Sequence, residues 1–245
     1  MKGKAFILAG ILFIFVICSA IGQGTFAQIP NQLAQDFVAG TVPSAGDVAK
    51  YEKDSAAKPD DLHLTRKLGK AYFFQFFGGG NAAAASKAQK TLERALTLRK
   101  DDPETLAYLG ALHVFAARRL HKENPEMQKT EFEKGFELLQ LAEKVDPNHG
   151  AVVSIASASY IILPDSYAMA PHVVEMLEGM RKGMGPMFAR FSHHGQQRLL
   201  LTLGQAFVKT GATEKARAAF DEALKINENS REAGLIKAEI ARLNN

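Results

Sequence analysis

One cysteine, Cys18, stands in the whole chain of 245 residues, and a single thiol closes no intramolecular disulfide. It lies inside an apolar run, so a chain that loses that run keeps no thiolate nucleophile. An excess of charge of one sign is also lacking. The formal net charge is +4, and two of the positive charges are Lys2 and Lys4 at the extreme N-terminus. The rest is nearly balanced, without the concentrated basic face that a nucleic-acid partner requires. Strand-like alternation is missing beyond Val48, where Val and Ile are few, which argues against a sheet. Gly78, Gly79 and Gly80 are not followed by the Lys-Ser/Thr of a phosphate loop and read as a flexible turn. His193 and His194 are sequence neighbours, about 100° apart around a helix, with no Cys, Asp or Glu nearby at ligand spacing. They read as a helix start or solvated loop, and no metal or other cofactor is expected. Nor do a nucleophile, a base and an orienting group assemble anywhere. The chain reads as non-enzymatic.

What is present begins with "AFILAGILFIFVICSAI", Ala5 to Ile21, after a Lys-containing start and before "TFA" at Thr25 to Ala27. A basic start, an apolar run and small residues around a bulky one form a secretory signal with cleavage after Ala27. Left uncleaved, the run sits at the lower edge of a membrane-spanning length. Residues 1–27 are therefore expected to be a signal peptide or N-terminal anchor, and the chain is expected to be exported, periplasmic or secreted. Residues 28–47, rich in Pro, Gly and small polar side chains, read as a linker or arm. Residues 48–245 form the folded domain, and 47% apolar with 23% charged residues is a globular balance.

Within that domain apolar residues recur at intervals of three and four, the period of a helix buried along one stripe. Pro59 and Pro103 are expected just inside new helices, with Asp102 capping the second. Gly78 to Gly80, Pro147, Pro164, Pro171, Pro186 and Gly211 mark further breaks. The fold class is all-α, with about ten helices, each too short and one-sided to stand alone.

A skeleton recurs along these helices. Leu68-Gly69 is followed by Tyr72, then Ala88, Leu92 and Ala95; Leu109-Gly110 is followed by His113, then Gly135, Leu139 and Ala142. Ala156-Ser157 with Tyr160 is a weaker copy, and Leu203-Gly204 with Phe207, then Ala216, Phe220 and Ala223, is the fullest. His113 takes the place of an aromatic filler and is expected in the core. The pattern resembles the tetratricopeptide repeat, a helix pair marked by Leu-Gly-x-x-Tyr and Ala-x-x-x-Phe. The resemblance covers about Val48 to Leu243 and implies an α-solenoid of stacked antiparallel helix pairs. Its units start at Gly69, Gly110, Ser157 and Gly204, spaced by 41, 47 and 47 residues, longer than the family's period of roughly 34. The surplus is expected in "FFGGGNAAAAS", "RRLHKENPEMQKT" and "PHVVEMLEGMRKGMGPMFARF". "SREAGLIKAEIARL", capped by Ser230, is expected to close the stack.

Solenoids of this kind recognise partners on the concave side, along the first helix of each pair. Aligning the units on their small residues puts His63, Arg66, Lys70, Phe73 and Phe74 there in the first unit, and Arg198, Leu201, Gln205 and Lys209 in the last. Ala107, Ala111, Val114, Phe115, Ser154, Ala158, Ile161 and Ile162 lie between. The expected groove is basic at its ends and apolar in its middle. That surface suits a protein or peptide partner, or a lipid or small apolar ligand. The leading expectation is an exported interaction scaffold; the alternative is a ligand-binding accessory of an extracytoplasmic transport system.

Overall fold

In the computed structural model the described residues are 43–79, 82–119 and 124–244. The expected signal or anchor, and most of the expected arm, lie outside them. The described residues form ten α-helices and no strand: α1 Ala45–Ala57, α2 Leu62–Gly79, α3 Ala82–Leu98, α4 Pro103–Arg119, α5 Pro125–Val145, α6 Gly150–Tyr160, α7 Ala170–Met184, α8 His193–Lys209, α9 Thr213–Ile226 and α10 Arg231–Leu243. Among them no helix is long and apolar enough to cross a membrane.

Local chemistry sets the helix starts. Asp102 accepts from the Thr105 amide at 3.0 Å, Ser192 from Gly195 at 3.1 Å, and Ser230 from Ala233 at 2.9 Å. Each such cap is worth about 1 kcal/mol, because it satisfies an amide the helix itself leaves open. Two starts differ from expectation. The first helix begins inside the expected linker, because Ser44 and Asp47 form a reciprocal capping box. Pro59 lies in the turn between α1 and α2 rather than inside α2, whose start is capped by Asp61 accepting from the Leu64 amide at 3.1 Å.

The helices pack as pairs α2/α3, α4/α5, α6/α7 and α8/α9, with α10 closing the last. Three of the four interlocks are steric. A Cβ on Gly69 would come within 2.7 Å of the Leu92 side chain, one on Gly110 within 2.9 Å of Leu139 and of the Gly135 carbonyl, and one on Gly204 within 2.2 Å of the Phe220 ring. Leu92, Leu139 and Phe220 are completely buried, as are Ala88, Ala95, Ala142, Ala216 and Ala223 around them. Small residues bring the backbones together and one bulky residue per pair fills the gap.

The fourth pair has an unrecognised copy of the same spacing. Val173, Leu177 and Met180 on α7 are buried at the positions that Ala216, Phe220 and Ala223 occupy on α9. The surplus between units is taken up by α2 continuing through Gly79, by a 21-residue α5, and by 3-10 turns at Asp165–Tyr167 and Gly185–Arg190.

Candidate ligand pocket and cleft

The first helices of the pairs bring distant parts of the chain together. On α2, Phe73, Phe74 and Phe77 share one end of the helix; on α4, Tyr108 and Phe115 face them. The rings meet edge to face: Phe77 and Phe115 lie 4.9 Å apart between centroids, Phe73 and Tyr108 5.3 Å, and Phe73 and Phe74 5.5 Å. That arrangement suits the charge distribution of aromatic rings. The small residues Ser154, Ser157 and Ala158 of α6 form a second side, and His194, Arg198 and Thr202 of α8 a third. Between them is an apolar pocket of about 90 Å³.

Arg198 is the cation of this pocket. Its guanidinium lies 5.0 Å from the centre of the Phe77 ring, so the electron-rich face of the ring attracts it. Burial disfavours its charged form; Glu232 supports that charge, Arg231 opposes it, and the balance lowers the pKa of Arg198. Glu232 already carries His194 at 3.0 Å. Among the described residues no carboxylate reaches ion-pair distance of Arg198.

The other expected cations of the first unit are engaged differently. Arg66 binds Asp102 at 2.8 Å and Glu104 at 3.1 Å, and Lys70 binds Glu104 at 2.5 Å. The end of the groove expected to be basic is therefore neutralised. Burial alone would raise the pKa of Asp102, but the Thr105 hydroxyl and amide and the Arg66 charge outweigh it and hold the carboxylate below its ordinary range.

A second, wider cleft of about 580 Å³ lies among the C-terminal ends of α4, α6 and α8, the N-terminal half of α5, and α10. It is lined by Arg118, Phe132, Ile161, Ile162, Val208 and Arg242, with Gln205 and Lys209 at its edge. Gln205 donates to Glu239 at 2.8 Å and Lys209 to Asp165 at 2.6 Å, leaving a mixed surface with Val208 38% exposed.

The expected groove residues thus divide. Phe73, Phe74, Phe115, Ser154, Ala158 and Arg198 line the aromatic pocket. Ile161, Ile162, Gln205 and Lys209 line the cleft. His63 is exposed and belongs to neither. Four assignments need correction: Ala107, Ala111 and Val114 are fully buried, because the neighbouring helices close on them, and they offer no surface to a ligand. Leu201, 9% exposed, is also core.

Comparison with known proteins now bears on this geometry. Residues 197–230 match the family model "Tetratricopeptide repeat". The chain carries a tetratricopeptide repeat. The crystal structure of a thermophilic tetratricopeptide-repeat protein from Thermus thermophilus is similar over 87% of this chain and 95% of that one, with a TM-score of 0.59 and 14% identity. At that identity the likeness shows the fold, a tetratricopeptide-type α-solenoid. No curated protein matches the sequence.

Aligning the repeats missed Phe77, Tyr108, His194 and Thr202, which also line the pocket. Two carried a usable signal. Phe77 follows Phe73 by one helical turn, and Tyr108 precedes Phe115 by two, so each shares its partner's stripe. The other two are brought in by the approach of α8 to α2, which no local pattern encodes. Elsewhere His113 is nearly buried, its Nδ1 2.6 Å from Glu131. Among the described residues no group of three or more His, Cys, Asp or Glu is placed to hold a metal ion.

Proposed function

We propose that this chain is an exported interaction scaffold that binds a protein or peptide partner. The observation carrying the reading is the open cleft of α4, α5, α6, α8 and α10, which includes the tetratricopeptide unit that matches the family model. Solenoids of this kind are interaction modules, and the cleft offers the apolar anchors Ile162 and Val208 over the buried Phe132, inside a polar rim. An extended segment or amphipathic helix with apolar side chains fits that chemistry.

A photo-crosslinking residue at Val208, compared with one at Leu141, tests the reading in intact cells. Both positions are exposed, but Leu141 lies on α5 outside the cleft. A discrete adduct at position 208 alone supports the scaffold; equal labelling at both sites sinks it. A phosphatase reporter fused after Asn244, active only outside the cytoplasm, tests export separately. A second reading, a ligand- or lipid-binding accessory of an extracytoplasmic transport system, is favoured by the aromatic pocket.

A further inference from the structure

The aromatic pocket is chemically unlike the cleft. Five rings and small helical residues line most of it, which selects an apolar body. One guanidinium stands at its wall with an aromatic face as its contact and no carboxylate at ion-pair distance among the described residues. A half-buried cation is costly to keep without a counter-charge. The charges around it do not meet that need. Glu232 acts on it from α10 but holds His194, and Arg231 on the same helix repels it. Tyr108 on α4 supports the charge least of the groups around it. The site therefore complements a ligand with one anionic head and an apolar tail.

A guanidinium presents a planar fork of N–H donors that matches a carboxylate in two parallel bonds. The Thr202 hydroxyl also lines the pocket, though it already donates to the Arg198 carbonyl at 3.0 Å and can only accept further. The other basic group on the lining, His194, is held by Glu232 at 3.0 Å, which leaves Arg198 to meet the head, so the site fits a singly charged head better than a phosphate. We infer that the pocket between Phe77 and Arg198 binds a small monocarboxylate with an aliphatic or aryl tail, its carboxylate on Arg198 and its tail among Phe73, Phe77 and Phe115. The pocket alone carries this assignment, which stands whether or not a protein partner uses the cleft.

Equilibrium dialysis of labelled octanoate against the full chain in lipid nanodiscs, with empty nanodiscs subtracted, tests it at neutral pH. Octanol, the neutral analogue, is the paired probe. Octanoate is expected to bind about tenfold or more tighter than octanol, the effect of one charge-assisted contact. In Arg198→Met the two probes should bind alike, while Arg198→Lys keeps part of the preference as a point charge without the fork. Circular dichroism checks that each variant folds; if Arg198→Met does not, the octanoate-to-octanol ratio of the unaltered chain still decides. Equal affinity for the two probes, an unchanged ratio in Arg198→Met, or no octanoate binding to the full chain overturns the inference. In the last case, a crosslink from Phe77 to residues 28–42 would name the chain's own N-terminal segment as the occupant. A crosslink at position 208 with no octanoate binding would leave the scaffold standing and remove only the ligand.

Discussion

The α8/α9 pair and the α6/α7 pair carry out the same architectural task by different means. In α8/α9 the contact is mainly steric, with one buried polar link, Gln197 donating to the Ala223 carbonyl at 2.9 Å. Gly204 lets the Phe220 ring press against the α8 backbone, and Ala216 and Ala223 keep the flanks thin. In α6/α7 the core positions are Val173, Leu177 and Met180, too bulky for the same approach. An ion pair ties α7 instead to the preceding unit: His172 meets Glu143 of α5 at 2.7 Å, beside the Tyr160 ring of α6. The difference explains where the family signature is strong. The spacing of small and large residues holds where backbones touch, at Gly69, Gly110 and Gly204, and the family model matches the pair that also carries the aromatic filler Phe220.

The comparison can be broken at its tightest point first. Phe220→Ala should cost about 4 kcal/mol, because it empties a completely buried ring site against helices that cannot close on it. Chemical denaturation should show a lower midpoint. Gly204→Ala should cost about 2 kcal/mol despite the better helix propensity of Ala, since the new methyl would sit 2.2 Å from the Phe220 ring. Adding Phe220→Leu should recover part of that loss, and a double-mutant cycle would show the coupling. If Gly204→Ala is neutral, the interlock is not what holds the pair.

The polar pair yields to pH instead. Burial disfavours a charged His172, but its hydrogen bond and charge pairing with Glu143, with help from Glu175, outweigh that and raise its pKa. The contribution is complete below the ordinary histidine value of about 6.5 and is lost as pH rises through the higher folded value. The melting temperature should therefore fall modestly on moving from mildly acidic to mildly alkaline buffer, and His172→Gln should flatten that slope. A slope unchanged by the substitution would assign the effect to other groups. The smallest effect has the opposite sign. Gly179 on α7 has nothing within 4 Å of where a Cβ would stand, so Gly179→Ala should stabilise by roughly 0.7 kcal/mol through helix propensity alone. A gain at Gly179 beside a loss at Gly204 would express the contrast in one experiment.

Much of this fold was legible because its decisive contacts are local. The capping residues Asp102 and Ser230 act on amides three residues away, and the glycine of each strong unit lies on a fixed stripe. Legibility failed for three kinds of residue. Val173 and Met180 hid a repeat copy, because bulky residues there carry no small-residue signal. Ala107, Ala111 and Val114 share a stripe with groove residues, yet adjacent helices cover them. Arg66 and Lys70 read as a basic groove end, whereas Asp102 and Glu104, from the next unit, face and neutralise them.

The order of apolar, small and capping residues along the chain determined that it would be helical, paired and stacked, since those choices depend on neighbours within one or two turns. Tertiary structure alone decided that Phe77 of the first full pair would lie under Arg198 of the last, and that one cation would meet a ring while two others met acids. Those outcomes depend on the path of the whole stack, which sums small rotations across every pair and is written in no single stretch of sequence.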